Sequence, residues 1–230
     1  MQTHLSSPPE AVSLTSEALS RRARVAVAAG VAMWAILVGG GVTQVFVFQS
    51  TPGTQDVAPD VWPTASRLER ADGLNMLVMF VHPRCTCTRA SLSELNAIMK
   101  TRGDDTVATI VFLQPDGVSS DWTYTDTWEA AGRIAHTSRV VDRMGMEARR
   151  FGAHTSGHVV LYNRSGRRLF AGGITDARGH AGDNVGRQSV LALLDSTTPL
   201  DHGHAVFGCA LHDRGVERAL ETTATGSPAS

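Results

Sequence analysis

Residues 25–48 read VAVAAGVAMWAILVGGGVTQVFVF, without one charged side chain. A helix rises about 1.5 Å per residue, so a run of this length crosses the roughly 30 Å hydrocarbon core of a bilayer. A buried core helix as long would normally show a polar face. Gly39, Gly40 and Gly41 would weaken a helix in water and are tolerated in membrane spans. The rival reading is a cleaved signal peptide. Against it, the leading segment is long, the run exceeds an h-region, and no clear A-x-A site follows. The sequence therefore predicts one transmembrane helix over residues 25–48. Arg21, Arg22 and Arg24 stand just before it, while the following QSTPGTQDVAPD carries no positive charge. Arginine is held on the cytoplasmic side, which puts the N-terminus inside and everything after about residue 50 outside. Cys85, Cys87 and Cys209 then lie where disulfides can form and persist.

Residues 1–20 are polar, contain Pro8 and Pro9, and read as a disordered cytoplasmic tail. Residues 49–65, rich in Pro, Thr and Asp, read as a linker. Residues 66–212 hold the domain, and residues 213–230 a C-terminal extension that is loose at its end. A net charge of −1 gives no reason to expect a nucleic-acid partner.

Within the domain, strand and helix signals alternate, which argues an α/β fold. Residues 74–81 (LNMLVMFV) and 107–113 (VATIVFL) read as buried strands. Between them, Leu92, Leu95, Ile98 and Met99 recur at helical spacing. A helix over 126–134, a short strand over 139–142 and a short helix over 146–151 follow. HVVLYNRSGRRLFAGG then reads as two strands joined by an Asn-Arg-Ser-Gly turn. A last helix is expected from Asn184 to about Leu194, with Asp183 as its N-cap.

The chemistry-bearing stretch is HPRCTCTRAS, residues 82–91. Cys85 falls at or just before a helix start, where free backbone N–H groups favour an anion. Arg84, Arg89 and His82 can add positive charge, and such surroundings lower a thiol's pKa from about 8.5 toward 3.5–7.5. A thiolate attacks a disulfide and a thiol does not, so Cys85 is the candidate nucleophile. A Cys85–Cys87 disulfide can close, in a small ring whose strain would bias it toward oxidation or isomerisation. Cys209 lies beyond the last helix. Three cysteines cannot all pair within one chain. Cys209 can therefore resolve Cys85, join a metal site, dimerise, or sit as an inert buried thiol.

The order strand, helix, strand, helix, strand, helix, hairpin, helix, with cysteines between the first core strand and its helix, resembles the thioredoxin-like superfamily. FVHPRCTCT is similar to that family's strand-loop-helix active site, and FGAHTSGHVVLYNRSGRRLFAGG to its later strand pair; the likeness covers residues 61–196. HPRCTCTRAS, HTSGHVVLY, GGITDARGHAGDN and VFGCALHD together resemble a narrower group of membrane-anchored bacterial proteins labelled RedB. The resemblance implies an α/β thioredoxin-like fold, a central mixed sheet flanked by helices, preceded by one transmembrane helix. It implies a single-pass protein of the inner (cytoplasmic) membrane with its soluble domain on the periplasmic or extracytoplasmic side. It implies thiol-disulfide exchange with protein thiols and disulfides, without a cofactor, recycled by a partner the sequence does not name.

Cys85 matches the family's attacking cysteine. The resolving position holds Thr88, with Cys87 one place early, so Cys87 or else Cys209 resolves. Gly157 stands where the family carries a cis-proline. His82, Arg84, Thr88, His154, Gly157 and His158 are expected to line the site. The alternative is copper handling on the same fold, with Cys85 and Cys87 joined by His154 or His158, since thiolates and imidazole suit copper. HGHAVFGCALH, which clusters His202, His204 and His212 around Cys209, adds to that reading. A third is a redox-silent interaction domain. A peroxidase would want Thr or Ser where His82 stands.

Overall fold

A computed structural model describes residues 20–195 and 203–212. The tail expected over residues 1–20 lies, but for Ser20, outside them, as do the extension at 213–230 and His202. The N-terminal element is helix α1, Arg21–Ser50, thirty residues with no buried side chain. It is long and apolar enough to cross a membrane.

The domain contains β1 (Asn75–Val81), α2 (Thr88–Arg102), β2 (Thr106–Gln114), α3 (Asp126–Ala131), β3 (Thr137–Arg143), α4 (Met146–Arg150), β4 (His158–Tyr162), β5 (Arg168–Gly173) and α5 (Val185–Asp195). The five strands form one sheet in the order β3-β2-β1-β4-β5. β1 runs parallel to β2, and β2 parallel to β3. Parallel neighbours need a crossover, which α2 and α3 provide. β4 is antiparallel to β1, and β5 to β4. That is the mixed, helix-flanked sheet of the thioredoxin-like fold.

Every residue of β1, NMLVMFV, is buried. Successive side chains point to opposite faces, so one strand feeds two cores. Leu77, Met79 and Val81 pack with Leu92, Leu95 and Ile98 of α2 and with Val190 and Leu193 of α5. Met76, Val78 and Phe80 pack with Phe151, Val160 and Tyr162. Burying each such side chain contributes about 1.5–3 kcal/mol. The β4–β5 turn is held by the Asn163 carboxamide oxygen, which accepts the Ser165 and Arg167 amides at 3.0 and 2.9 Å.

Boundaries differ from the sequence reading in instructive places. α2 begins at Thr88, four residues before its apolar stripe, and Thr88 and Ser91 are buried along with that stripe. The cap of α5 is Asn184, whose side-chain oxygen accepts the Arg187 amide at 2.7 Å, rather than Asp183. The stretch read as a linker is mostly exposed, and it touches the domain at a few points. The Tyr162 hydroxyl donates to the Pro59 carbonyl at 3.1 Å, Trp62 meets Phe151 and Tyr162 edge-on at 5.3 Å, and Ala58 is buried. Residues 203–212 form a strap. It runs beside Gly172 of β5 and then beside Thr155 in the loop before β4.

Candidate redox site

The site sits where β1 gives way to α2. The chain turns as the Cys85 amide donates to the His82 carbonyl at 3.0 Å, and the Thr88 amide then donates to the Cys85 carbonyl at 3.1 Å. Cys87, next before α2, occupies its N-cap position and makes no side-chain cap bond. The Thr88 hydroxyl reaches the His82 carbonyl and the Ser156 hydroxyl, each at 3.1 Å. The His82 amide donates to the Ser156 hydroxyl at 2.9 Å, and the Gly157 amide to the Phe80 carbonyl at 2.8 Å. These bonds fix the loop before β4 against the cysteine loop. Gly157 has φ +92°, and a Cβ there would meet the Ser91 hydroxyl at 2.9 Å, so glycine is required. Among the described residues there is no cis peptide bond.

The three cysteines converge and are all free thiols. Cys85 is 2% exposed. Burial alone would push its thiol up. Hydrogen-bonding groups of Cys209 and then of Cys87 beside it, however, outweigh that burial, and the net effect holds it below its ordinary value. Its neighbours move the other way. Burial, then repulsion from Cys85, raises Cys87, with Arg178 pulling in the opposite direction. Burial, then the hydrogen bond given to Cys85, pushes Cys209 up to about 12. Cys209 is exposed as a residue, with its sulfur turned toward Cys85. One sulfur is therefore the favoured anion, and the other two serve it as donors.

The basic residues next to the motif do not supply this effect. The Arg84 guanidinium lies over the Trp122 ring at 5.3 Å, and Arg89 pairs with Asp126. His82 is held neutral by burial, with Arg84 adding to the effect; its Nδ1 accepts the Arg84 amide at 3.1 Å. The charge expected from Arg84, Arg89 and His82 is replaced by donors from Cys87 and from a residue distant in sequence.

His154 Nε2 is 2.6 Å from Asp56, and its ring meets His212 edge-on at 5.5 Å. His158 is 0% exposed, and neither ring nitrogen has a hydrogen-bond partner among the described residues. Neither His154 nor His158 is among the groups that set the Cys85 thiol. Among the described residues, no three His, Cys, Asp or Glu side chains are grouped to hold a metal ion.

His158 has a consequence for stability. Burial, reinforced by His154, lowers its pKa from 6.5 to about 4. Between those values the unfolded chain binds the proton and the folded chain does not. The folded state is therefore fully favoured above pH 6.5 and loses stability as pH falls toward 4. From pH 7 to 5 the expected loss from this residue is about 2 kcal/mol. Urea unfolding at the two pH values measures it. His158→Phe should shrink the difference by about that amount, leaving the share of His212, whose pKa is also lowered to about 4, and an unchanged difference in that variant would refute the assignment.

No family model matches the chain, and no curated protein matches it. Solved structures do. A hypothetical protein from Sinorhizobium meliloti 1021 is 19% identical over 71% of this chain and 93% of its own, with a TM-score of 0.51. An uncharacterized conserved protein from Geobacillus kaustophilus is 14% identical over the same shares, 71% and 93%, also with a TM-score of 0.51. The pneumococcal exposed lipoprotein thioredoxin Etrx1 from Streptococcus pneumoniae is 20% identical over 54% of this chain and 85% of its own, with a TM-score of 0.39. What the first two share with this chain is the fold. That fold is thioredoxin-like.

Proposed function

We propose that the chain is a membrane-anchored thiol-disulfide exchange protein acting on protein thiols and disulfides, with Cys85 as its catalytic nucleophile. One observation carries the reading: Cys85 stands just before α2, and Cys87 and Cys209 beside it hold its thiol below its ordinary value. A thiolate so placed attacks a partner disulfide, bonds to one sulfur and expels the other as a thiolate. Cys209 or Cys87 then displaces the remaining partner sulfur. α1 would anchor the protein as a single pass through the inner membrane. Arg21, Arg22 and Arg24 favour an N-terminus inside and a domain outside the cytoplasm.

Capture tests this. The full-length chain carrying both Cys87→Ser and Cys209→Ser should accumulate mixed disulfides with membrane or extracytoplasmic proteins, linked through Cys85 and released by reductant. The absence of such adducts would end the proposal.

A further inference from the structure

The cysteine cluster contains a contradiction. Cys85, whose thiol is held below its ordinary value, is 2% exposed; Cys209, the exposed cysteine, is pushed up to about 12. The residue that can be reached is poorly reactive, and the reactive one is covered.

The strap over residues 203–212 accounts for both halves. Its backbone runs antiparallel to the loop before β4: the Ser156 amide donates to the Cys209 carbonyl at 2.8 Å, and the Leu211 amide to the His154 carbonyl at 2.9 Å. Val206 and Leu211 are buried beneath it. The chain is cut to receive it. A Cβ on Gly208 would stand 2.0 Å from the Ser156 carbonyl oxygen, and one on Gly173 would stand 2.3 Å from the Ala205 carbonyl oxygen. Contacts this close to backbone on both sides of the seam are not those of a tail resting on a surface.

Building on the exchange reading above, we propose that residues 203–212 are a redox latch. The strap lies across the cysteine loop as an internal peptide, and a Cys85–Cys209 disulfide fastens it there when the protein is oxidised.

The step balances with a protein disulfide as oxidant. Cys85 thiolate attacks R–S–S–R′ while the strap is lifted, forming Cys85–S–S–R and releasing R′S⁻. As the strap returns, Cys209 attacks the Cys85 sulfur, forms Cys85–S–S–Cys209 and expels RS⁻, giving its proton to solvent or to a released thiolate. Two electrons pass from the two cysteines to the partner disulfide. A reducing thiolate reverses this at the exposed Cys209 sulfur, expelling Cys85 thiolate. That is the better leaving group of the pair, because its thiol has the lower pKa. A second reducing thiolate frees Cys209.

Two measurements on the full-length protein in detergent decide it. After oxidation with oxidised glutathione, trypsin should yield residues 85–89 disulfide-linked to residues 188–214, with fragmentation placing the link on Cys85 rather than Cys87. In the reduced protein, Gly208→Ala should lift the strap without touching a cysteine and raise the rate of Cys85 alkylation by iodoacetamide about tenfold or more. Cys209→Ser should abolish the cross-link. A Cys85–Cys87 bond confined to the single peptide 85–89 would overturn the latch, as would an alkylation rate unchanged in Gly208→Ala. Exchange itself would survive that result if capture through Cys85 still succeeded.

Discussion

Cys85→Ser should abolish disulfide exchange, by about a thousandfold or more relative to the unsubstituted chain, because it removes the nucleophile itself. A serine hydroxyl is not ionised near neutral pH and forms no bond to a partner sulfur. Cys87→Ala and Cys209→Ala should behave differently. Each keeps the first attack, and each removes a side-chain donor beside the Cys85 sulfur, so the thiol pKa should rise in both. A pH profile of the first attack separates the cases. In the unsubstituted chain the rate should level off below the pH at which a free thiol ionises, about 8.5. In the two variants the plateau should move to higher pH. A Cys85→Ser protein with appreciable exchange would remove this residue from the chemistry, as would a profile following an ordinary thiol in every variant.

Glu94→Ala should be the most damaging change away from the sulfurs, at about 3–5 kcal/mol. Glu94 lies on the buried face of α2, with a side chain only 3% exposed. Its carboxylate accepts the Gly182 amide at 2.7 Å and the Asn184 carboxamide at 3.0 Å, and it pairs with the Arg187 guanidinium. Asn184 also caps α5. One carboxylate therefore ties α2 to the glycine-rich loop and to the start of α5. Its loss leaves the Gly182 amide without its acceptor and takes one partner each from the largely buried Arg187 guanidinium, which keeps Asp183, and from the Asn184 carboxamide, which keeps the Gly182 carbonyl. Glu94→Gln keeps an acceptor and should cost less. Urea denaturation with an unchanged slope reads both changes. A cost under about 1 kcal/mol for the alanine variant would mean that water replaces the carboxylate.

The element order was readable because the local patterns are strong. LNMLVMF has the unbroken apolar character of a strand buried on both faces, and the Leu92, Leu95, Ile98, Met99 spacing has the period of a helix. The site was readable only in its near half. HPRCTCT places two cysteines before α2, but nothing local says that residue 209 returns to the same loop. The contact is made by backbone pairing with Ser156 and His154, which no side-chain pattern encodes. The glycines at 172, 173 and 208 were the available trace, and they mark close approach only once the approaching segment is known. Arg84 and Arg89 pointed the wrong way because adjacency in sequence says little about reach. Their partners, Trp122 and Asp126, come from beyond β2. Over 49–65 the proline-rich composition reads as a linker, and it does not reveal that the Pro59 carbonyl and the Trp62 ring find partners in Tyr162 of β4 and in Phe151 just after α4.

A sheet of this kind has two lateral borders, and they are protected unequally. β3 is the outermost strand on one side and presents Arg139 and Arg143, charges that discourage another chain from adding a strand. β5 has no such deterrent near its end, where the Ala-Gly-Gly run offers bare main chain beside the strap at His204. Any substitution that frees the strap therefore exposes a border made for pairing. Such variants should self-associate through β5 as concentration rises, even where every sulfur is intact.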